Sequence, residues 1–358
     1  MSTTPIEPLD ARRPGFWNRR QWYSKDTQLW PRDRWLFYRD LDGLIRDFVL
    51  PGHTPPERLL ETGDRVLTFG SCFAGELRDY LARAGFAADT FWIPEGLNNS
   101  YAILDFVSWC VTGSETGSGY RYDTTVEGEI HEWTPEHTQE LVLGHLRDAG
   151  AFVFTLGLAE VWQDRETGSV FWRGVPHDIF DETRHVFRPT TVDENETNIV
   201  RTIELIREVN ADAPIVLTLS PVPLNATFRG ISCVAADCVS KSTLRVALDG
   251  VVGRGLENVY YWPSFEIVRW IGGHVPWPAY GFNRGDSRHV TRYLVAQIID
   301  AFVEAFYTPA AVAEMRANVG VATTFERSPR SFRARARALR LELEHEARRR
   351  FRRSPDRA

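Results

Sequence analysis

Two kinds of apolar pattern alternate along this chain. Short, largely apolar runs fall at 65–69, 151–156, 214–219 and 259–262, and a second likely strand at 87–91. They are rich in β-branched and aromatic residues, which is how strands read when a parallel sheet is covered on both faces. Between them lie stretches with helical spacing. Leu77, Tyr80, Leu81 and Ala84 mark the first; Ser100 can cap a second through about Cys110; Thr134-Pro135 opens a third to Asp148. Further helices are expected at 192–210, around Ser240-Lys241-Ser242 to about Gly250, and after Thr291 through Phe306. At least five strands alternating with helices predict an α/β fold, a three-layer α/β/α doubly wound parallel sheet.

The two ends follow other rules. Residues 1–60 carry Trp17, Trp22, Tyr23, Trp30, Trp35, Phe37 and Tyr38 among charges, without a clean period apart from a short helix at 41–48 before Pro51-Gly52. Such an aromatic arm is suited to pack over a core, since these rings bring large apolar area with a polar handle. About thirty residues after Trp162, with Gly168, Gly174, Pro176, His177 and His185, read as an excursion over the sheet rim. From Pro329, residues Phe332, Ala336, Leu339, Leu343 and Ala347 share one face of a helix whose other faces carry arginine. That basic amphipathic helix suits docking on the body or a partner, with weak attraction to an anionic membrane surface as the sharper alternative. The organisation expected is therefore an arm at 1–60, a catalytic unit at 61–308 and an Arg-rich helical tail at 309–358.

Charge sharpens the picture. The chain of 358 residues carries a formal charge of −6, yet residues 328–358 hold eleven Arg against four acids, so the body is more acidic than the total shows. An acidic body is poorly built to hold nucleic acid. Cys72, Cys110, Cys233 and Cys238 are too widely spaced for a disulfide framework, with no C-x-x-C zinc pair. The start lacks an apolar signal segment and no run is long enough to span a bilayer, so a reducing cytoplasm is the expected setting. Lys241 is one of two lysines among forty arginines. An ammonium placed there contrasts with the chain's general use of guanidinium.

Candidate chemistry gathers where strands end. Val66-Leu67-Thr68-Phe69 runs into Gly70-Ser71-Cys72 and then directly into a helix. A side chain on that corner stands above the carboxyl end of the strand, facing the free N–H groups and positive end of the helix. Gly157-Leu158-Ala159-Glu160-Val161-Trp162 closes the 151–156 strand at the same rim, where open α/β sheets bind ligands. Asn98 and Asn99 lie in a polar loop after the second strand. Asp286 and His289 form an Asp-x-x-His pair, in which the carboxylate can hold one imidazole nitrogen and leave the other for a nucleophile. The nine histidines show no metal-ligand spacing, and no metal is implied.

Phe69-Gly70-Ser71-Cys72-Phe73-Ala74 resembles the namesake motif of the GSCFA family, placed with the SGNH (GDSL-type) hydrolases. The resemblance extends through 155–162, Ser220-Pro221-Val222-Pro223-Leu224, Ser240-Lys241-Ser242-x-Leu244-Arg245 and Pro263-Ser264-Phe265-Glu266-Ile267, from about residue 65 to 307. It implies an SGNH-hydrolase-like sheet with ester or acyl chemistry at its carboxyl rim. The SGNH serine falls on Cys72 with Ser71 as fallback, and the family base pair falls on Asp286 and His289. Asn99, Gly157, Glu160 and Trp162 are the expected substrate contacts, Trp162 by stacking on a sugar ring. One departure matters: Ala159 stands where SGNH enzymes place an asparagine that helps hold the oxyanion. Loss of one such donor typically costs ~2.7–4 kcal/mol of transition-state stabilisation. Asn99, a backbone N–H near Gly157, or the Cys72 and Phe73 amides are the substitutes. The first expectation is an esterase or acyl-hydrolase acting on an O-acyl ester, on a carbohydrate. The alternatives are an O-acetyltransferase of surface polysaccharide biosynthesis with an acyl-coenzyme A donor, or a non-catalytic glycan- or partner-binding protein, with a homo-oligomer left open. The hydrolase needs no cofactor.

Overall fold

The structure is a computed structural model and describes residues 27–31, 33, 35–90, 97–113, 124–126, 129–131, 135–172, 174–175, 177–281 and 287–322. Helices α1 (Leu36–Arg39) and α2 (Leu41–Leu44), the latter running into a π turn at Ile45–Val49, precede β1 (Val66–Gly70) and α3 (Cys72–Arg83). Next come β2 (Ala88–Thr90), α4 (Ser100–Thr112), the short pair β3 (Thr124–Val126) and β4 (Glu129–His131), and α5 (Pro135–Arg147). Then follow β5 (Ala151–Leu156), β6 (Glu160–Asp164), β7 (His185–Pro189), α6 (Val192–Val209), β8 (Ile215–Leu219) and α7 (Cys233–Gly253). The remainder is β9 (Val259–Trp262), α8 (Ser264–Glu266) with a π turn at Ile267–Ile271, α9 (Arg292–Phe306) and α10 (Pro309–Ala322).

Because the inner strand runs are apolar on both sides of their pleat, both faces must be covered, and helices do so. The central sheet is parallel throughout, ordered β2-β1-β5-β8-β9. Val66, Val153, Val216 and Trp262 point to one face with Phe73, Leu77, Leu294, Ile298 and Phe302 of α3 and α9. Leu67, Phe69, Phe154, Leu217 and Tyr261 point to the other, with Phe106, Leu146, Ile203 and Leu244 of α4 to α7. Each such fully buried side chain contributes about 1.5–3 kcal/mol of transfer free energy. The first face also takes in Leu41, Leu44, Ala311 and Met315, and Leu60 bridges Tyr307. The three-layer doubly wound architecture is therefore present.

Local differences have local causes. Asn99, not Ser100, caps α4, because its carboxamide accepts the Ala102 N–H at 2.9 Å while the Ser100 hydroxyl donates to Asn195 at 2.8 Å. The excursion after Trp162 is an antiparallel hairpin of β6 and β7, locked by Arg184 against the buried Asp164 carboxylate. Helix α10 was not anticipated; its buried Ala311 and Met315 are too sparse for a clear apolar stripe. The expected tail helix from Pro329, and Trp17, Trp22 and Tyr23 of the arm, lie outside the described residues. Among the described residues no helix is long and apolar enough to cross a membrane.

The winding direction fixes where a site can form. From β1 the chain passes outward to β2, then returns to place β5 on the other side of β1. The carboxyl ends of β1 and β5 flank that topological switch point, the crevice where open α/β sheets take ligands. Gly70 lies there with φ of 113°, and a Cβ on it would stand 2.1 Å from the Thr155 carbonyl oxygen. We expect Gly70→Ala to destabilise the fold by on the order of 3 kcal/mol or more, read by chemical denaturation. A variant as stable as the parent would contradict this geometry.

Candidate active site

At the end of β1 the backbone turns through Gly70, and the Ser71 N–H donates to Thr155 O at 3.2 Å. Ser71 is extended, with φ −70° and ψ 173°, and caps α3; its Oγ accepts the Phe73 N–H at 3.3 Å. Its side chain is buried in that role. Cys72 is the first residue of α3 and is exposed. The same corner thus divides two neighbouring candidates: the hydroxyl is turned into the helix cap, and the exposed cysteine stands at the positive end of α3.

The loop after β5 is fastened from two sides. The Asn98 carbonyl accepts the N–H of Gly157 at 2.7 Å and of Leu158 at 3.2 Å. The Ala159 N–H donates to Ser240 Oγ at 2.7 Å, and the Lys241 ammonium donates to the Gly157 carbonyl. The backbone donors of 157–159 are therefore taken within the protein and are not turned to a substrate. Asn99 is likewise committed: besides capping α4, its amide donates to Trp172 O at 3.4 Å. The side chain beside Gly157 belongs to Asn98, whose Oδ1 would lie 3.4 Å from a Cβ at that position.

Glu160 is buried and accepts from Thr227 Oγ1 at 2.8 Å and Arg229 Nη1 at 3.2 Å, which ties the loop after Leu224 to β6. Trp162 packs edge-on against Phe180, Phe187 and Phe228, with centroids 5.5, 5.3 and 5.0 Å away. Phe180 and Phe228 are exposed, so Trp162 belongs to an aromatic patch on the hairpin side of the rim.

His289 reaches the rim from the far end of the sequence. Tyr280 and Val290 form a bridge, the Gly281 N–H donates to His289 O at 2.9 Å, and Arg288 donates to Pro223 O at 3.1 Å. The loop it meets is itself joined to β5, since the Ser220 N–H donates to Leu156 O at 2.7 Å. Burial pushes the Glu76 carboxyl above its usual range, and Arg292, Arg83 and His289 pull it back down. His289 and Glu76 thus interact electrostatically, and Glu76 lies one helical turn beyond Cys72 on α3. Asp286 lies outside the described residues.

A doubly wound α/β domain with an exposed cysteine where its first strand meets a helix at the switch point is the class these observations define. The GSCFA family model matches residues 65–302, two thirds of the chain, and the protein belongs to the GSCFA family. No protein of curated function matches the sequence. Among solved structures, the chain is similar to a carbohydrate esterase family 2 enzyme with its carbohydrate-binding domain from Corynascus thermopiles (Myceliophthora fergusii). That likeness has 11% identity over 74% of this chain and 69% of that one, with a TM-score of 0.35. It is also similar to the salicylyl-acyltransferase SsfX3 of a tetracycline biosynthetic pathway, at 13% identity over 68% and 54%, TM-score 0.33. A protein described as a GDSL-like lipase from Bacteroides ovatus follows at 10% identity over 72% and 55%, TM-score 0.32. The match spans only about half of the last two chains, and likeness of this degree bears on neither substrate nor reaction.

Sequence reasoning passed over Glu76 and left Asn98 open between a turn residue and part of a loop that lends an amide to a site. The signal for Glu76 was its position four residues after Cys72, which places both on one side of α3. Asn98 gave no separable signal, because it acts at Gly157 through its backbone carbonyl, which every residue owns. The capping role assigned to Asn99 is directly testable. Asn99→Ala should cost about 1 kcal/mol of stability by denaturant titration, and Asn99→Asp should keep both stability and any activity. Loss of turnover in the aspartate variant with stability intact would place Asn99 at the substrate instead.

Proposed function

We propose that this GSCFA protein is an SGNH-like acyl hydrolase that works through a thioester on Cys72. The observation that carries the reading is the division at the β1 corner: Cys72 is exposed at the first position of α3 while the Ser71 hydroxyl is buried in the cap. A cysteine attacker needs a base, and His289, which acts on the electrostatics of the same helix, is the candidate. Asp286 is assigned the role of orienting the imidazole.

In this reading His289 takes the Cys72 proton and the sulfur attacks the ester carbonyl carbon. The carbon–oxygen bond to the alcohol then breaks, and His289 passes its proton to the departing oxygen. Water, deprotonated by His289, attacks the thioester and releases the acid with the thiol restored. The backbone donors at 157–159 are engaged, and the Phe73 and Ala74 N–H groups are given to Ser71, so we assign oxyanion stabilisation to the carboxamide of Asn98 beside Gly157. The substrate class we assign is an O-acyl ester on a carbohydrate, with the Trp162 patch supplying ring faces. Transfer to a hydroxyl acceptor is the second reading, favoured by the thiol itself, since a thioester passes its acyl group to a sugar hydroxyl as well as to water; acyl-coenzyme A would then be the donor.

Incubation with p-nitrophenyl acetate followed by peptide mass spectrometry should find one acetyl group on Cys72. Cys72→Ala should abolish turnover, His289→Asn should slow it by ~100-fold or more, and Ser71→Ala should keep most of it while losing about 1 kcal/mol of stability. Loss of activity in Ser71→Ala alone, with the label absent from Cys72, would overturn the assignment.

A further inference from the structure

Lys241 stands on α7 beneath the switch point, 2% exposed, among a core of Leu244, Leu248 and the 157–159 turn. Among the described residues its ammonium meets one hydrogen-bond acceptor, the Gly157 carbonyl. Asp237, one turn earlier on α7, raises its proton affinity, but that carboxylate is already held by Arg269 and by the Leu224 N–H at 3.0 Å. Arg269, on the π turn after α8, opposes the ammonium with like charge, and Glu160 beyond the turn is taken by Arg229 and Thr227. The result is a buried cation with three N–H groups and, among the described residues, one acceptor. A well-packed apolar side chain of that size would be as stable or more so. A group that weakens the fold, placed at the rim of the site, is a candidate for function.

What it holds supports that view. Gly157 follows the last residue of β5, next to the β1 corner, where Gly70 pairs with Thr155. Its N–H is fixed by Asn98 O and its carbonyl by Lys241, while the next-but-one residue, Ala159, is held through its N–H by Ser240. Ser240 and Lys241 are consecutive on one helix and grip the two ends of the same three-residue turn.

We propose that Lys241 is a positioning residue for the acyl-transfer site, which fixes the 157–159 turn and, through Gly157, the Asn98 segment bonded to it. The inference rests on the reading of Cys72 as an acyl-enzyme nucleophile, and it assigns Lys241 no contact with substrate. Desolvation pushes the ammonium pKa down to about 7, so the buried cation exchanges its proton within the neutral range. The unfolded chain would hold that proton up to about 10.5. Between these values the unfolded state binds more protons than the folded one, so this group makes the fold more stable as pH rises across that window.

The test compares wild type with Lys241→Met, which matches length without charge, and Lys241→Gln, which keeps a donor. Three readouts are taken on the full chain: p-nitrophenyl acetate kinetics, amide hydrogen exchange at 157–159, and stability against pH. We expect Lys241→Met to lower kcat by on the order of 100-fold with KM little changed. Exchange at Gly157 and Ala159 should speed by ~10-fold or more, and thermal stability at neutral pH should be unchanged or raised. The stability difference from wild type should shrink as pH rises from about 7 towards 10.5, and Lys241→Gln should recover most of kcat. A Lys241→Met protein with wild-type kcat and unchanged exchange in the turn would overturn the proposal. So would a loss of activity that only tracks a lowered melting temperature. Should wild type itself form no acyl-Cys72, the reading of the nucleophile fails instead, and the exchange result alone decides whether Lys241 holds the turn.

Discussion

The approach of β1 to β5 at Gly70 is the constraint on which the rest of the molecule depends. Only a residue without a Cβ lets the backbone turn there with positive φ against the Thr155 carbonyl. That turn brings Ser71 into position to accept the Phe73 N–H, starts α3 at Cys72 and aims the helix's positive end at the crevice. Burial of both sheet faces then holds the two strands in register, and the chain's reversal around β1 leaves the crevice at this corner. The crevice is in this sense a by-product of how a parallel sheet is wound, given its form by one glycine.

Around that corner, stretches far apart in sequence become one bonded assembly. Helix α7 contributes Asp237, Ser240, Lys241 and Arg245 in turn. The first three secure the loops after β8 and β5, and Arg245 bonds Glu266 at 2.7 Å while lying 4.3 Å over the Tyr261 ring. The Ser-Lys-Ser and Pro-Ser-Phe-Glu stretches are thus joined through an ion pair and a cation–π contact at the sheet edge. Thr218, Ser264 and the Leu219 carbonyl form a second buried link between β8 and α8. Buried polar networks of this kind are costly when incomplete, which makes them sensitive places for substitution.

Much of the fold was legible because its signals are local. Five runs such as Ala151 to Leu156 can be nothing comfortable except strands buried on both faces, and the Gly-Ser-Cys corner announces strand, turn and helix by itself. The hairpin of β6 and β7 was not legible, since its pairing of Val161 with Arg188 and Trp162 with Phe187 depends on contacts more than twenty residues apart. The candidate site was legible only as residue types at strand ends. Cys72 and His289 stood out by residue type and position. The roles of Glu160 and Asn99 did not, because a carboxylate that ties down Arg229 and a carboxamide that caps a helix read the same in sequence as ligands for a substrate. Lys241 was visible as an oddity of composition, but only the burial of its ammonium under Gly157 gives the oddity a physical meaning.

The central claim is that Cys72 is an activated thiol and that His289 activates it. The most direct measurement is the rate of alkylation of Cys72 by iodoacetamide at pH 7, followed by peptide mass spectrometry, in wild type and in His289→Asn. The account predicts that the wild-type thiol reacts faster by ~10-fold or more, with Cys233 and Cys238 unaffected by the substitution. Equal rates at Cys72 in the two proteins would contradict it.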